Sequence, residues 1–286
     1  MLYRRYKLGT RLGGGAFSEV FLADDSSTGR KVALKIATNS DDYGDAVRTL
    51  FRIESHILLR LKGEPGVVPI LAYHDHESEP FVVMEYLGRR SLNELRDLPK
   101  ISLLRAFCNV CETVAPLHEK GLVHRDLKPE NMFWTGSGSI LIDFNYARFP
   151  GVQDYADTAA YPFGTAEFMS PEQTRDHCAT VDRRSDIYSL GVSLYVLLAR
   201  IYLQTPAYIY PFNFLSRHVG REMQEADCFN KHMDEKPMPL TQRVMTAPKI
   251  LSDIILKAME KDPDRRFQDA LELGEEVKSA IRKISF

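Results

Sequence analysis

The 286-residue sequence predicts an α+β protein in two lobes, a small β-rich one carrying a single helix and a larger helical one. Three observations carry that reading. From Tyr6 to Glu85 short apolar runs are broken by Gly, Asp, Ser and Pro, the texture of half-buried strands and their turns. After Gly88 apolar residues recur at helical spacing over long stretches instead. With no internal repeat and no low-complexity linker, the one natural boundary lies near Leu87-Gly88, and 32.6 kDa is long for a single core.

Tyr6 to Leu12 reads as the first strand and runs into a glycine cluster. Glu19 to Ala23 alternates as a second strand before a turn at Asp24-Asp25-Ser26-Ser27-Thr28-Gly29, and Lys31 to Ala37 is the third. Val47, Leu50, Phe51, Leu58 and Leu61 place one helix over residues 43–62, punctuated by Gly63-Glu64-Pro65-Gly66. Val67 to Tyr73 and Phe81 to Tyr86 are two further strands, joined by a polar hairpin from His74 to Pro80. In the second lobe, Ser91-Leu92-Asn93-Glu94 has the form of a helix start with Ser91 as the cap, and residues 101–119 form a long helix. Asp186 to Arg200 is predicted as a buried central helix, too short for the roughly 18 to 20 residues a bilayer span needs. Residues 249–260 and 268–283 complete the helical part. Ile201 to Arg221, rich in Tyr, Phe and His, reads as surface loop with a short helix, the other reading being an exposed aromatic patch for a protein partner.

A net charge of -2 gives no general attraction to nucleic acid or to an anionic membrane. The start Met1-Leu2-Tyr3-Arg4-Arg5 lacks the apolar core of a signal peptide, so a cytoplasmic address and no membrane span are expected. Cysteines at 108, 111, 178 and 228 do not suggest a disulfide framework. Cys108 and Cys111 form a C-x-x-C, but inside a helical pattern and without a second pair, which makes them core thiols.

The chemistry concentrates in His124-Arg125-Asp126-Leu127-Lys128-Pro129-Glu130-Asn131. Asp126 can accept a proton. Lys128 lies on the same side of an extended loop and can hold a negative group near that carboxylate, while Asn131 offers a neutral oxygen to a hard cation. Pro129 stiffens the turn between them. At every fixed position the stretch resembles the catalytic loop of eukaryotic-type Ser/Thr protein kinases, H-R-D-L-x-x-x-N.

That resemblance covers about residues 6–283 and implies the bilobal protein-kinase fold, with an antiparallel-sheet lobe over 6–87 and a helical lobe over 88–283. Leu12, Gly13, Gly14 and Gly15 would form a phosphate cradle in which glycines let backbone N–H groups approach the oxygens. Ser18 stands where the motif has its third glycine. In Val32-Ala33-Leu34-Lys35, Lys35 would reach the α- and β-phosphates of ATP, with Glu54 holding it in place. Asp45 and the loop before it leave the register of that helix open. Met84 would be the gatekeeper, Glu85 and Leu87 would bond the adenine edge, and Val20, Ala33 and Phe133 would cover its faces. Asp143 would bind Mg²⁺ together with Asn131, Mn²⁺ being the alternative ion. Asn145 replaces the glycine of the D-F-G motif, and its tolerance of positive φ is expected to keep that turn.

Tyr146 to Thr165 corresponds to the activation segment. Arg125 beside Asp126 implies regulation by phosphorylation there, with Thr158 first and Tyr155 and Tyr161 behind it, the other reading being a segment held active without modification. Thr165 would be a hydroxyl near Asp126 and Lys128 that positions substrate. Glu172, in Ser170-Pro171-Glu172, would pair with Arg266, and Asp186 would hold the catalytic loop from below. The implied activity is transfer of the γ-phosphoryl group of ATP to Ser or Thr of a protein substrate, with Asp126 as base. Gly164 to Gln173 and Ala258 to Ala270 resemble bacterial members of the family. Two rivals stay open: a pseudokinase that binds nucleotide or a partner, favoured by Ser18 and Asn145, and a small-molecule kinase of similar fold. The sequence does not set the oligomeric state.

Overall fold

A computed structural model of the chain describes residues 5–15, 18–37, 44–75, 80–88, 90–95, 97–154, 164–175, 181–214 and 220–284. Two compact units result, one of Met1–Arg89 with Asp143–Asn145 and one of Arg90–Ile142 with Tyr146–Phe286.

The first unit is an antiparallel five-stranded sheet with one helix. Strands β1 (Tyr6–Gly14), β2 (Ser18–Asp25), β3 (Arg30–Ala37), β4 (Ile70–His74) and β5 (Phe81–Glu85) lie in the order β1-β2-β3-β5-β4. Alternation along β3 divides the sheet into two faces. Val32 and Leu34 point to one, where they join Tyr6, Ala23, Phe81 and Val83 in a core. Ala33 and Lys35 point to the other. Across the ladders Lys35 is paired with Val20 and Val82, and Ala33 with Met84, so these five side chains share that second face. Helix α1 (Gly44–Arg60) packs on β3, β4 and β5, burying Leu50, Phe51, Ile53, Ile57 and Leu58.

The second unit holds α2 (Lys100–Glu119), the hairpin of β6 (Met132–Trp134) and β7 (Ser139–Leu141), and helices α3 (Pro171–Arg175), α4 (Arg183–Leu203), α5 (Arg221–Asp234), α6 (Leu240–Arg243), α7 (Lys249–Ala258) and α8 (Ala270–Lys283). Asp182 caps α4 by accepting the Arg184 N–H, and Asp269 does the same for α8 with Glu272. By length and composition α4 is apolar enough to cross a membrane, but every residue from Ser185 to Arg200 is buried in this unit, as expected of a core helix. Two glycines set close helix contacts. A Cβ at Gly191 would lie 2.9 Å from the Ala258 Cβ on α7, and one at Gly274 on α8 would lie 2.9 Å from the Cys111 Cβ on α2. Cys108 and Cys111 are core thiols, as the sequence implies; burial pushes Cys108 up to about 12 and Cys111 well above the ordinary thiol value.

Three sequence expectations need correction. Ser91 does not cap a helix: its Oγ donates to Glu94 Oε2 at 3.0 Å and the chain makes only a turn. The backbone there is already committed, because Ser91 bridges to Phe133 and the Leu92 N–H bonds the Met132 carbonyl at 2.8 Å. Helix α5 was not expected, since charged residues are frequent along it and its buried residues Cys228 and His232, four apart, give only a thin stripe. Over its described residues the aromatic run is loop once α4 ends at Leu203, as expected, but between Gln204 and Phe214 it carries no short helix and its rings do not form an exposed patch. Tyr208, Tyr210, Phe214 and Phe212 meet one another in that order in edge-on and tilted contacts, and close on Phe168 and the buried ring of His232. Burial and then the nearby Lys261 ammonium push His232 down to about 3, so this ring is neutral and serves as packing.

Candidate active site

In the first unit, β3 and α1 bring two distant side chains together. Lys35 Nζ lies 3.0 and 2.9 Å from the two oxygens of Glu54, and 2.7 Å from Asp143 Oδ1. Lys35 is 4% exposed and Glu54 0%, so the ion pair is desolvated and the ammonium has a fixed position. Burial opposes the charge on Lys35, but the carboxylates of Asp143 and Glu54 outweigh it and hold the ammonium above the ordinary lysine value. Burial pushes Glu54 up, and Lys35 opposes that shift. Glu54 Oε1 also accepts the Phe144 N–H at 3.2 Å, so one carboxylate anchors both the lysine and the peptide after Asp143.

The turn at Asp143-Phe144-Asn145 is kept by different means from those expected. Positive φ falls on Asp143, at 65°, and not on Asn145. Asn145 Nδ2 donates to Asp143 Oδ1 at 2.7 Å, so the residue in the glycine's place acts through its side chain. Ser18 likewise needs no glycine, because it pairs with Ala37 as the first residue of β2 at ordinary backbone angles. The demanding position is Gly14, with φ 158°, where a Cβ would lie 2.7 Å from the Ser18 carbonyl oxygen. Gly13 and Gly15 have open space around them, and Gly15 donates its N–H to the same carbonyl. Val20, Ala33 and Met84 share the sheet face of Lys35, and Leu12 is partly buried near the end of β1. Glu85 closes β5 and Leu87 follows in irregular chain, while Phe133 belongs to the second unit, on β6.

In the second unit the catalytic-loop stretch is fixed from several sides. Asp126 Oδ1 accepts the Thr165 N–H at 2.8 Å, and its Oδ2 lies 2.9 Å from Lys128 Nζ and 3.1 Å from Asn131 Nδ2. Lys128 Nζ also reaches Thr165 Oγ1 at 2.5 Å, so carboxylate, ammonium and hydroxyl adjoin as expected. Asn131 Nδ2 bonds the Asp126 carbonyl too, at 2.9 Å, which fixes the amide and leaves its oxygen as the acceptor end. Gly164 must be glycine: at φ 126° its Cβ would lie 3.0 Å from the Arg125 carbonyl oxygen.

Beneath the loop, Asp186 is fully buried and accepts the backbone N–H groups of His124 and Arg125, each at 2.8 Å, and His118 Nε2 at 2.8 Å. Burial alone would raise this carboxyl; the bond from His118 and the bonds to the loop outweigh it and hold it below the usual carboxylate range. His124 Nδ1 accepts the Asp126 N–H at 3.3 Å, which puts the ring proton on Nε2 to donate to the Ile142 carbonyl at 3.1 Å. Arg125 has φ 63°, its carbonyl accepts Gln173 Nε2 at 2.9 Å, and its guanidinium grips Asp154 with two bonds of 2.6 and 2.8 Å.

Glu172 and Arg266 meet as expected. Both carboxylate oxygens accept from Arg266, at 2.7 and 2.8 Å, and the remaining guanidinium N–H groups go to the carbonyls of Glu260, Arg184 and Lys261. Burial raises the Glu172 carboxyl, but Arg266 and Ser185 together hold it below the ordinary value. Sequence reasoning missed His118, Asp154, Gly164, Gln173 and the bond from Tyr208 to Glu130 Oε1 at 2.7 Å. Gln173 directly follows the Ser-Pro-Glu triplet and was the most findable of these. Thr158, Tyr155 and Tyr161 lie outside the described residues, as does the side chain of Asp45.

Comparison with known proteins agrees with this geometry. The family described as protein kinase domain matches residues 6–275. The chain is 31% identical to the serine/threonine-protein kinase pkn2 of Myxococcus xanthus, over 98% of this chain and 33% of that protein. It is 32% identical to a probable serine/threonine-protein kinase of Streptomyces coelicolor, over 97% of this chain and 40% of the relative. It is 30% identical to the serine/threonine-protein kinase PknB of Mycobacterium leprae, over 94% and 42%. The chain thus spans between a third and about two-fifths of the length of these relatives.

Proposed function

Because the chain belongs to the protein kinase family, we propose that it transfers the γ-phosphoryl group of ATP to serine or threonine hydroxyls of a protein substrate. The observation that carries this reading is the state of Asp126: a carboxylate aimed by Thr165, Lys128 and Asn131, beside a lysine that bonds both it and a threonine hydroxyl.

Asp126 orients the attacking hydroxyl and accepts its proton. Lys128 stabilises charge on the group in transfer, and its serine/threonine-type position in the loop supports that substrate class. Lys35, held by Glu54, meets the α- and β-phosphates. Leu12, Gly13, Gly14 and Gly15 cover the phosphates, and Val20, Ala33, Met84, Glu85, Leu87 and Phe133 receive the adenine. Protein kinases use a divalent metal, and Asn131 and Asp143 are the residues that would hold it here. Their hard oxygens fit Mg²⁺ or Mn²⁺, and no group of three His, Cys, Asp or Glu side chains among the described residues offers a rival site. Mg²⁺, when bound, neutralises charge on the phosphate oxygens. A cytoplasmic location for this domain is supported by its use of ATP and by the unpaired thiols of Cys108, Cys111 and Cys228.

The test is incorporation of radiolabel from ATP into a generic protein substrate by wild type and by Asp126→Ala, followed by phosphoamino-acid analysis. Phosphoserine or phosphothreonine with wild type, lost with the variant, is expected. Equal incorporation by both would remove the role given to Asp126, and none by either would leave a binding module.

A further inference from the structure

The hold on Arg125 goes beyond the reaction itself. Its side chain is 0% exposed, and its two terminal nitrogens both engage Asp154, at 2.6 and 2.8 Å. Asp154 lies 29 residues further along the chain, within the stretch from Tyr146 to Thr165. The same stretch returns at its far end to the next residue of the loop, where the Thr165 N–H bonds Asp126 Oδ1. Consecutive loop residues therefore hold the segment near its middle and at its far end. A buried guanidinium needs an anion, and two parallel N–H···O bonds to a carboxylate satisfy it in charge and in geometry.

We infer that Asp154 is a built-in anion that positions the catalytic loop through Arg125, so that the site is ordered with no phosphate on the activation segment. The inference rests on the kinase reading above. One backbone angle and two further contacts make it specific. The Arg125 backbone takes a left-handed φ of 63°, its N–H is held by Asp186 and its carbonyl by Gln173. The ion pair with Asp154 fixes the side chain of the residue whose backbone leads directly into Asp126. A phosphate arriving from the same segment would meet a guanidinium whose fork already carries a carboxylate. Asp154 is a positioning residue in this scheme, acting through Arg125 and touching no substrate.

The experiment uses the full chain, stripped with a broad-specificity phosphatase until its intact mass is that of the unmodified polypeptide. Initial rates with ATP and a generic protein substrate are then read, and the mass is checked again at the end of the assay. Stripped wild type is expected to work within about twofold of untreated protein. Asp154→Asn should lose about 10- to 100-fold in kcat, the scale on which small misplacements act, with KM for ATP within about twofold. Asp154→Glu, which restores the charge, should recover part of the loss. Stripped wild type that loses activity more than about tenfold and regains it on rephosphorylation would overturn the inference while leaving the kinase reading intact. So would a folded Asp154→Asn with wild-type kcat. If Asp154→Asn does not fold, the stripped wild-type rate decides alone. If no form of the wild type exceeds Asp126→Ala, the kinase reading fails first and the inference falls with it.

Discussion

Replacing Asp186 by Asn tests the idea that a buried carboxylate sets the catalytic loop. Asp186 Oδ2 accepts from the His124 N–H and from His118 Nε2, and Oδ1 accepts from the Arg125 N–H. Asn keeps the shape but turns one acceptor into a donor. With the amide oxygen at the Oδ2 position, the Arg125 N–H faces an NH₂ group; with the amide flipped, His124 and His118 face it. At least one backbone N–H is stranded in a fully buried site, at a cost of about 1–3 kcal/mol. The bonds that survive lose their charge assistance, so the total comes to about 2–4 kcal/mol of folding stability.

The same change acts on the chemistry, because the stranded group belongs to Arg125 or His124 and the next residues in line are Arg125 and Asp126. Relief of the conflict moves the loop, and a shift near 1 Å in a catalytic base costs on the order of 10²-fold in rate. Steady-state phosphoryl transfer together with urea unfolding reads both effects. We expect kcat to fall by about two orders of magnitude, the midpoint of unfolding to drop, and KM for ATP to change little. A variant within about threefold of wild-type kcat and less than 1 kcal/mol less stable would show that Asp186 does not govern the loop.

Glu54→Gln removes the charge facing Lys35 and should lower kcat/KM for ATP by about 10- to 100-fold, the equivalent of one charge-assisted hydrogen bond; a loss under about threefold would mean that Asp143 alone suffices to place the lysine. The Glu172–Arg266 pair gives the acid response a definite sign. Its folded carboxyl titrates below the unfolded value, so its contribution is fully present above the unfolded glutamate pKa of about 4.3 and is lost as pH falls through the folded one. Unfolding free energies measured from about pH 6 down to pH 3 should fall less steeply for Glu172→Gln than for wild type, and parallel slopes would count against the assignment.

What the sequence disclosed and what it hid divide along physical lines. Alternation in Lys31 to Ala37 was enough to separate the faces of β3, and so to place Ala33 and Lys35 together, because a strand's period of two allows no other arrangement. Glu54 was readable from the apolar residues beside it on α1. His118 was not, because its role depends on α2 and α4 lying side by side, which no local pattern encodes. Asp154 sits in irregular chain after Gly151-Val152-Gln153 and belongs to no periodic pattern. Tyr208 to Phe214 looked like surface because aromatics at a spacing of two outside a sheet have no obvious partner; the partner, His232, is supplied by a helix whose own apolar stripe is too thin to announce it.

Backbone strain ties these contacts together. Among the described residues three that are not glycine take positive φ: Arg125 at 63°, Asp143 at 65° and Gln204 at 49°. Gln204 ends α4, a common place for a left-handed residue. The other two stand directly beside Asp126 and within the Asp-Phe-Asn turn, and such conformations cost about 1–3 kcal/mol each, so they persist only where the surroundings over-determine them. Asp186, Gln173 and Asp154 do so for Arg125, while Lys35 and Asn145 bond the side chain of Asp143 itself. On this account Asn145 is no degenerate glycine. A glycine at 145 would relax the turn and offer Asp143 no donor, whereas the amide supplies a bond of 2.7 Å to the oxygen that also meets Lys35. The substitution that first suggested a protein without chemistry is thus one of the contacts holding its metal-binding candidate in place.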